Sequence, residues 1–211
     1  MQSLRVKGGA EIRGSVTVSG NKNAALPMIA ALLLAEEECV LRNVPDILDV
    51  RTMLDIAGEL GAEFSFKNHV LKFRCRDIKT TKVSREMCSR NRTSILFAAP
   101  LIARCGTAEL FPPGGDVIGR RRLDGHFYGL IKLGSAMSGD ETYRFHAPGG
   151  LFGRELFLDE ASVTATEQIL IAAVTAKGKT TLYNAAGEPH VQDLAQLLNA
   201  MGGRITGAGS N

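Results

Sequence analysis

The chain repeats itself, and this repeat limits the folds that it can adopt. Ala24–Gly61 matches Ala165–Gly202 when the sequence is displaced by 141 positions, with apolar residues falling on apolar residues. A middle copy of the first helix matches at a displacement of 69, where Met28 falls on Phe97. A period of about 70 residues is longer than the common solenoid repeats, so each copy is expected to be a supersecondary unit. Positions at which the copies differ are candidates for function.

Each unit has the pattern of a strand, a helix, a strand, a helix and two strands. In the first unit Gly14–Ser19 alternates as a strand, and a helix over about Asn23–Leu34 is apolar nearly all round, which predicts burial on every side. The strand Cys39–Arg42, an amphipathic helix over about Val50–Leu60 and a hairpin turning at Lys67-Asn68 follow. The pattern predicts an α/β (α+β) fold of three βαβαββ units around buried helices. The units span about 21–78, 88–148 and 160–211.

The third unit repeats this order, and the middle unit departs from it at one loop. The third has a buried helix over Thr164–Ala176, opened by a capping box of Thr164 and Glu167, a strand at Thr180–Tyr183, a helix over about Val191–Met201 and a hairpin from Arg204. The middle unit has about four extra residues in PPGGDVIGRRR, and such insertions are typical of loops that carry function. A surface loop also tolerates extra length without any function.

Composition excludes several classes of protein. The hydrophobic fraction of 45% and charged fraction of 22% are typical of a globular protein. A net charge of +3 argues against a general nucleic-acid-binding protein. No apolar run approaches the ~20 residues of a membrane-spanning helix. Four cysteines without CxxC spacing and an N-terminus without a secretory pattern favour free thiols and a cytoplasmic location. We expect no metal, no cofactor, no nucleic-acid partner and no membrane partner.

The starts of the buried helices form the first candidate site. The repeats align Asn23, Arg92 and Thr164 at this position, and Lys22 adds a charge in the first unit. Free N–H groups and the helix dipole favour an anion there. Because a cation before an apolar helix opposes that dipole, we expect a bound anion to compensate it. Helix capping alone is an alternative explanation of Asn23 and Thr164.

The loop 112–126 is the second candidate. Pro113-Gly114-Gly115 permits unusual backbone conformations, and Arg120–Arg122 offer guanidinium groups that match phosphate oxygens. Asp116 lies between them and is a candidate proton donor or acceptor, or simply a turn aspartate. His126 falls where the other units have core-facing apolar residues, so it is either a structural histidine or a functional one.

Several stretches resemble the enolpyruvyl transferases, and especially their nucleotide-sugar branch. The resemblance lies in SGNKNAALPM, in LRNVPDILDVRTML, in PPGGDVIG with Arg121, Asp124 and His126, and in NAAGEPHVQD. It covers essentially the whole chain but only the first half of the family's enzymes. It implies a fold of two similar three-unit domains with an active site between them. Residues 21–211 would be the first domain, and residues 1–20 would pack with the second, which this chain lacks.

The resemblance also implies a reaction. The 3-hydroxyl of UDP-N-acetylglucosamine attacks C2 of phosphoenolpyruvate while C3 is protonated, and the adduct then loses phosphate. By position, the resemblance implies that Lys22 and Asp116 are catalytic residues. It also implies that Lys22 contacts phosphoenolpyruvate, that Asn23 contacts the sugar, and that Arg92 and Arg121 hold anionic groups. Further substrate-binding positions are Arg121, Arg122, Leu123, Asp124, Gly125, His126, Ser162 and Val163. Asp116 replaces a cysteine that is the proposed proton donor of many relatives, which implies resistance to the epoxide fosfomycin.

Three residues depart from the family pattern. Arg122 and Gly125 interrupt the usual R-P-V/I-D-L/I-H, and Glu160 stands where a basic residue is common. These departures leave open a paralogue that acts on another nucleotide sugar, a non-catalytic nucleotide-sugar-binding module, or an RNA-binding domain that uses Arg120–Arg122. The last alternative lacks the interleaved aromatic residues typical of base stacking, because the chain has no Trp and 3 Tyr.

Overall fold

The first unit is built around one buried helix and a three-stranded sheet. The computed structural model describes residues 3–115 and 122–210. The strands are antiparallel in the order β1-β3-β2. The elements are α1 (Lys22–Leu32), β1 (Cys39–Arg42), α2 (Leu48–Leu60), β2 (Glu63–Lys67) and β3 (Val70–Arg74).

The second unit begins with an interrupted helix. A short 3₁₀ helix, Arg92–Phe97, leads directly into the helix Ala98–Cys105, and the three strands that follow form an antiparallel sheet with Tyr143–His146 in the middle. Before these elements, Lys82 forms a parallel bridge with Glu109 of the strand Thr107–Leu110. The other elements are α3 (Arg85–Arg90), α4 (Ala98–Cys105), β4 (Thr107–Leu110), α5 (Asp124–Lys132), β5 (Ala136–Ser138) and β6 (Tyr143–His146).

The third unit is a strand–helix–strand crossover followed by a helix. Its two strands are parallel, as a crossover through a helix requires. The elements are β7 (Glu155–Phe157), α6 (Val163–Ala173), β8 (Thr181–Tyr183) and α7 (Pro189–Ala200).

The core lies between the first helices of the three units. Ile29 of α1, Leu101 of α4 and Ile169 of α6 are fully buried, and α6 packs against both other helices. A helix in this position is covered on all sides, which explains why α1 has so few polar residues. The prediction of buried helices is therefore confirmed.

Two predicted elements, one strand and one hairpin, are absent from the described residues. Gly14–Ser19 forms no strand, and Val16 and Val18 remain 91% and 80% exposed. The segment 204–210 forms no hairpin. An alternating apolar sequence becomes a strand only where a neighbour pairs with its N–H and C=O groups. In the third unit the equivalent strand β7 has such a neighbour, β8.

The predicted capping box at the start of α6 is also wrong. The helix begins at Val163, and the Ser162 hydroxyl caps it by accepting the Ala165 N–H at 3.4 Å. Thr164 therefore lies inside the first turn, and Glu167 is buried instead of reaching back to the cap. Across the described residues, no helix is both long and apolar enough to cross a bilayer.

Candidate functional site

The tip of α1 presents a lysine that is paired with a carboxylate. Asn21 caps the helix, since its side chain accepts the Asn23 N–H at 2.7 Å. Lys22 is the first helical residue, and its ammonium lies 2.9 Å from Oδ2 of Asp49. Both side chains are partly exposed. The sequence predicted a bound anion as the compensating charge; in this structure the charge beside Lys22 is the Asp49 carboxylate.

Asp49 also connects this tip to the second unit. The Asn91 side-chain amide lies 3.4 Å from both the Asp49 carbonyl and its Oδ1. Asn91 is buried and caps the 3₁₀ helix, because its Oδ1 accepts the Thr93 N–H at 2.9 Å. Lys22 is the first residue of α1, and Arg92 is the first residue of the 3₁₀ helix. The hydrogen-bonded pair of Asp49 and Asn91 therefore links the starts of these two helices.

Arg92 continues this chain of contacts toward the functional loop. Its guanidinium donates to the Arg122 carbonyl at 3.1 Å. Arg122 in turn donates to Asp124 at 2.8 Å. Asp124 raises the pKa of the exposed Arg122 guanidinium through this hydrogen bond and its charge, and the charges of Glu160 and Asp159 act in the same direction. The charges of three carboxylates therefore act on Arg122, and one of them, Glu160, departs from the family pattern.

The start of the loop packs on the second unit. The Gly114 N–H donates to the Cys88 carbonyl at 2.9 Å, and a Cβ at Gly114 would collide with the Ser89 carbonyl. Gly115 has a φ of 100°, a conformation that favours glycine, and it lies against the backbone of Arg92. The predicted residues Asp116 and Arg121 lie outside the described residues.

The segment after the loop packs on α6 through small and buried residues. Leu123 precedes α5 and packs on the core. A Cβ at Gly125 would lie 3.0 Å from that of Ala165, so the glycine that departs from the family pattern occupies a close helix–helix contact. His126 is buried, and its Nε2 lies 3.0 Å from the Thr164 hydroxyl.

His126 has the environment of a structural histidine. Burial lowers its pKa to about 4; the nearby Gln168 amide opposes this shift, and the Arg92 charge adds to it. The ring is therefore neutral at pH 7. The remaining predicted residues, Ser162 and Val163, are the cap and first residue of α6, half-buried beside this contact.

The structure links four of the described candidates, Lys22, Arg92, Arg122 and Asp124, in one continuous row. It runs from Lys22 through Asp49 and Asn91 to Arg92, Arg122 and Asp124. Sequence reasoning missed Asp49 and Asn91. The signal for Asp49 was present, because an unmatched lysine before a buried helix calls for a nearby carboxylate. Within residues 3–115 and 122–210, no group of three or more His, Cys, Asp or Glu could hold a metal ion.

Comparison with known proteins identifies the family. A sequence model of the EPSP synthase (3-phosphoshikimate 1-carboxyvinyltransferase) family matches residues 6–211. The chain belongs to the EPSP synthase family. Among solved structures, the enolpyruvyl transferase NikO from Streptomyces tendae superposes with a TM-score of 0.83 at 20% identity, over 97% of this chain and 48% of that one. An EPSP synthase from Acinetobacter baumannii gives a TM-score of 0.71 at 19% identity, over 92% of this chain and 45% of that one. These structures confirm the predicted fold class.

Curated relatives are much more similar in sequence. Proteins named UDP-N-acetylglucosamine 1-carboxyvinyltransferase are 49% identical in Treponema denticola and 50% identical in Borreliella burgdorferi, over the whole of this chain. The protein of that name from Bradyrhizobium diazoefficiens is 50% identical over 98% of the chain. The chain spans about half the length of each, at 50%, 49% and 48%.

Proposed function

We propose that this chain is one half of a UDP-N-acetylglucosamine enolpyruvyl transferase, which catalyses the first committed step of peptidoglycan synthesis in the cytoplasm. The observation that carries the proposal is the identity of about 50% to proteins of that name over the whole chain. The row of contacts from Lys22 to Asp124 supports it, since cationic groups stand at neighbouring helix starts where an anionic substrate would bind.

In this proposal the residues divide the work between the two substrates. Lys22 contacts phosphoenolpyruvate, and Arg92 and Arg121 hold anionic groups. Asn23 binds the sugar, and the segment from Arg121 to His126 with Ser162 and Val163 lies along the nucleotide. His126, neutral and buried, contributes by fixing α5 against α6. The step requires no cofactor and no metal.

The proposed chemistry is an addition followed by an elimination. The sugar 3-hydroxyl adds to C2 of phosphoenolpyruvate, its proton passes to a base, and Asp116 donates a proton to C3. The adduct then loses a C3 proton and inorganic phosphate to form the enol ether. Positive charge develops at C2 and negative charge on the phosphate, so fixed charges beside them lower the barrier.

A second domain completes the site in this proposal. The relatives are about twice as long as this chain, and their further half would supply the base. We propose that residues 1–20 pack with that domain. Their exposure supports this, because Leu4, Ile12 and Val16 are each more than nine-tenths exposed and their burial against a partner would be favourable.

The direct experiment measures phosphate release from phosphoenolpyruvate and UDP-N-acetylglucosamine. A polypeptide of the relatives' length that begins with this chain should turn over both substrates, and the 211-residue chain alone should give little or no turnover. Omission of the nucleotide sugar is the control for phosphoenolpyruvate hydrolysis. Robust turnover by the 211-residue chain would disprove the half-enzyme proposal, and nucleotide-sugar binding without turnover by the longer protein would favour a sensor.

Fosfomycin tests the proposed role of Asp116. A carboxylate is a poorer nucleophile toward an epoxide than a thiolate, so the longer enzyme should remain active in fosfomycin. Asp116→Cys should restore sensitivity and give a covalent adduct on the loop by mass spectrometry. An adduct on the unsubstituted loop would contradict the assignment.

One observation favours a second candidate function, transfer of the enolpyruvyl group to a different UDP-sugar. The charges of Asp124, Glu160 and Asp159 act on Arg122, and both Arg122 and Glu160 depart from the family pattern. A paralogue that transfers to another UDP-sugar would use such a difference beside the nucleotide. Competition among UDP-sugars in the same assay distinguishes the two acceptors.

A further inference from the structure

We infer that Asp49 is a positioning residue, which orients the Lys22 ammonium and joins the start of α1 to the 3₁₀ helix through Asn91. The inference rests on the proposed function, because Lys22 matters only if an anionic substrate binds beside it. It concerns three groups within one hydrogen-bonded set: the ammonium, the carboxylate and the amide.

The helix dipoles explain why this pair forms. Lys22 is at the start of α1, where the positive end of the dipole repels its charge. Asp49 is in the first turn of α2, where the same effect stabilises a carboxylate. The two helices pack against each other, so the carboxylate is placed within 2.9 Å of the ammonium.

The second contact of Asp49 limits where its carboxylate can lie. Asn91 is 6% exposed, and its Oδ1 is already used by the Thr93 N–H and hydroxyl. Its Nδ2 donates to the Asp49 carbonyl and Oδ1, which give this buried amide the acceptors that it needs. One carboxylate oxygen therefore faces Asn91 and the other faces Lys22.

This arrangement leaves Lys22 able to bind a substrate. An ammonium has three N–H donors, and one of them suffices for Asp49. The other two can reach substrate oxygens while the long side chain remains held. A lysine released from Asp49 would have to be ordered on each binding event, at a cost in side-chain entropy.

The alternative is that Asp49 is a bystander whose negative charge only repels the substrate. The two explanations predict opposite signs for the removal of that charge. If Asp49 positions Lys22, Asp49→Asn should raise the KM for phosphoenolpyruvate and lower kcat/KM on the order of 10- to 100-fold. If Asp49 only repels, the same substitution should lower the KM.

The experiment compares Asp49→Asn with Asp46→Asn in the longer enzyme. Asp46 is a nearby exposed carboxylate that pairs with Arg51 at 2.8 Å, so its substitution removes the same charge without touching Lys22. Asp46→Asn should change kcat/KM less than about 2-fold, in keeping with a surface ion pair. In a Lys22→Met background, Asp49→Asn should have no additional effect, because the group that it orients is gone.

Three outcomes would overturn the inference. They are a lower KM in Asp49→Asn, a change no larger than that of Asp46→Asn, and effects of Asp49→Asn and Lys22→Met that multiply.

A measurement on the 211-residue chain separates the inference from the proposed function. The Lys22 ammonium should give a resolved nitrogen–hydrogen NMR correlation, slowed in exchange by its hydrogen bond, that Asp49→Asn abolishes and Asp46→Asn retains. An inactive longer enzyme would refute the proposed function, whereas an unchanged Lys22 signal in Asp49→Asn would refute the positioning.

Discussion

The helices α1 and α6 occupy equivalent places in the first and third units but use their first turns differently. In α1 the exposed Lys22 is followed by the buried residues Ala25, Leu26 and Pro27. Displacement by 141 positions places Thr166, Glu167 and Gln168 at the same three sites of α6, and all three are buried. The first unit therefore presents its charge to solvent, and the third places its polar groups inside the protein.

The polar residues of α6 organise their neighbours. The Thr166 hydroxyl donates to the Ser162 carbonyl at 2.8 Å and accepts the Ala186 N–H at 3.0 Å. In the amide orientation that its neighbours require, Gln168 donates to the Ile95 carbonyl at 3.1 Å and accepts the Ala99 N–H at 3.0 Å. In an uninterrupted α-helix the Ile95 carbonyl would accept the Ala99 N–H. Because Gln168 bonds to both groups instead, it explains why the second unit begins as a 3₁₀ helix.

Glu167 and His126 are buried titratable groups around α6 whose side chains are incompletely hydrogen-bonded. Burial raises the pKa of Glu167 to about 8, with a contribution from the Glu188 charge. Among the residues that the structure describes, neither Oε1 of Glu167 nor Nδ1 of His126 has a hydrogen-bond partner. The comparison teaches that one repeated helix can carry ligand-facing charge in one copy and structural polarity in another, provided that the apolar scaffold is kept.

The largest expected effect concerns the charge at the start of α1. Lys22→Met in the longer enzyme should lower kcat/KM for phosphoenolpyruvate by roughly 10²- to 10³-fold, because a fixed charge beside the developing phosphate is lost. The free energy of unfolding should change by less than about 1 kcal/mol, since the pair with Asp49 is partly exposed. Steady-state kinetics and urea denaturation measure the two effects. Lys67→Met, an exposed hairpin lysine, is the control, and an equal loss in that variant would remove the distinction between the sites.

The next effect is the pH dependence that the polar groups around α6 impose on stability. Folded Glu167, with a pKa of about 8 against an ordinary 4.5, keeps a proton that the unfolded chain releases, so stability falls as pH rises from 4.5 through 8. Folded His126, with a pKa of about 4 against 6.5, excludes a proton that the unfolded chain binds, so stability falls as pH drops from 6.5 through 4. Between pH 4.5 and 6.5 the two effects cancel.

Glu167→Gln separates these contributions. Relative to this variant, the unsubstituted chain should lose up to about 1.4 kcal/mol of unfolding free energy per pH unit between pH 6.5 and 8. Below pH 6.5 the variant should show the His126 slope that Glu167 otherwise masks. Urea denaturation at a series of pH values measures both. Parallel pH profiles for the two proteins would show that Glu167 titrates normally.

The smallest expected effect is a difference in stability between substitutions in two equivalent turns. Asn43 and Asn184 follow equivalent strands and have φ values of 58° and 53°. Asn184 also donates to the Leu158 carbonyl at 2.7 Å. Asn43→Ala should cost about 1 kcal/mol through backbone strain, and Asn184→Ala about 1 kcal/mol more through the lost hydrogen bond. Thermal unfolding ranks the two variants, with Asn→Gly at each site as the control for strain. Equal losses of stability would mean that the hydrogen bond from Asn184 to Leu158 does not contribute to stability.

The sequence predicted the parts of the fold that depend on local pattern. The apolar helix α1 and the amphipathic helices α2 and α7 lie where periodicity indicated them, within a few residues. The predicted cap of α6 was wrong because Ser162 and Thr164 are both good caps, and the contact of Thr164 with His126 decides between them. Gly125 was singled out as a departure from the family pattern, yet only its closeness to Ala165 explains it.

The sequence by itself determined the repeat, the buried helices and the membership of the enolpyruvyl transferases, because periodicity and motifs are carried by residues close together in the chain. Only the tertiary structure decided that Lys22 meets Asp49, that Asn91 joins them to the next helix, and that His126 is buried against Thr164. Each of these contacts joins residues at least 27 positions apart. Such partners are chosen by the packing of helices around the core, which local sequence pattern does not specify.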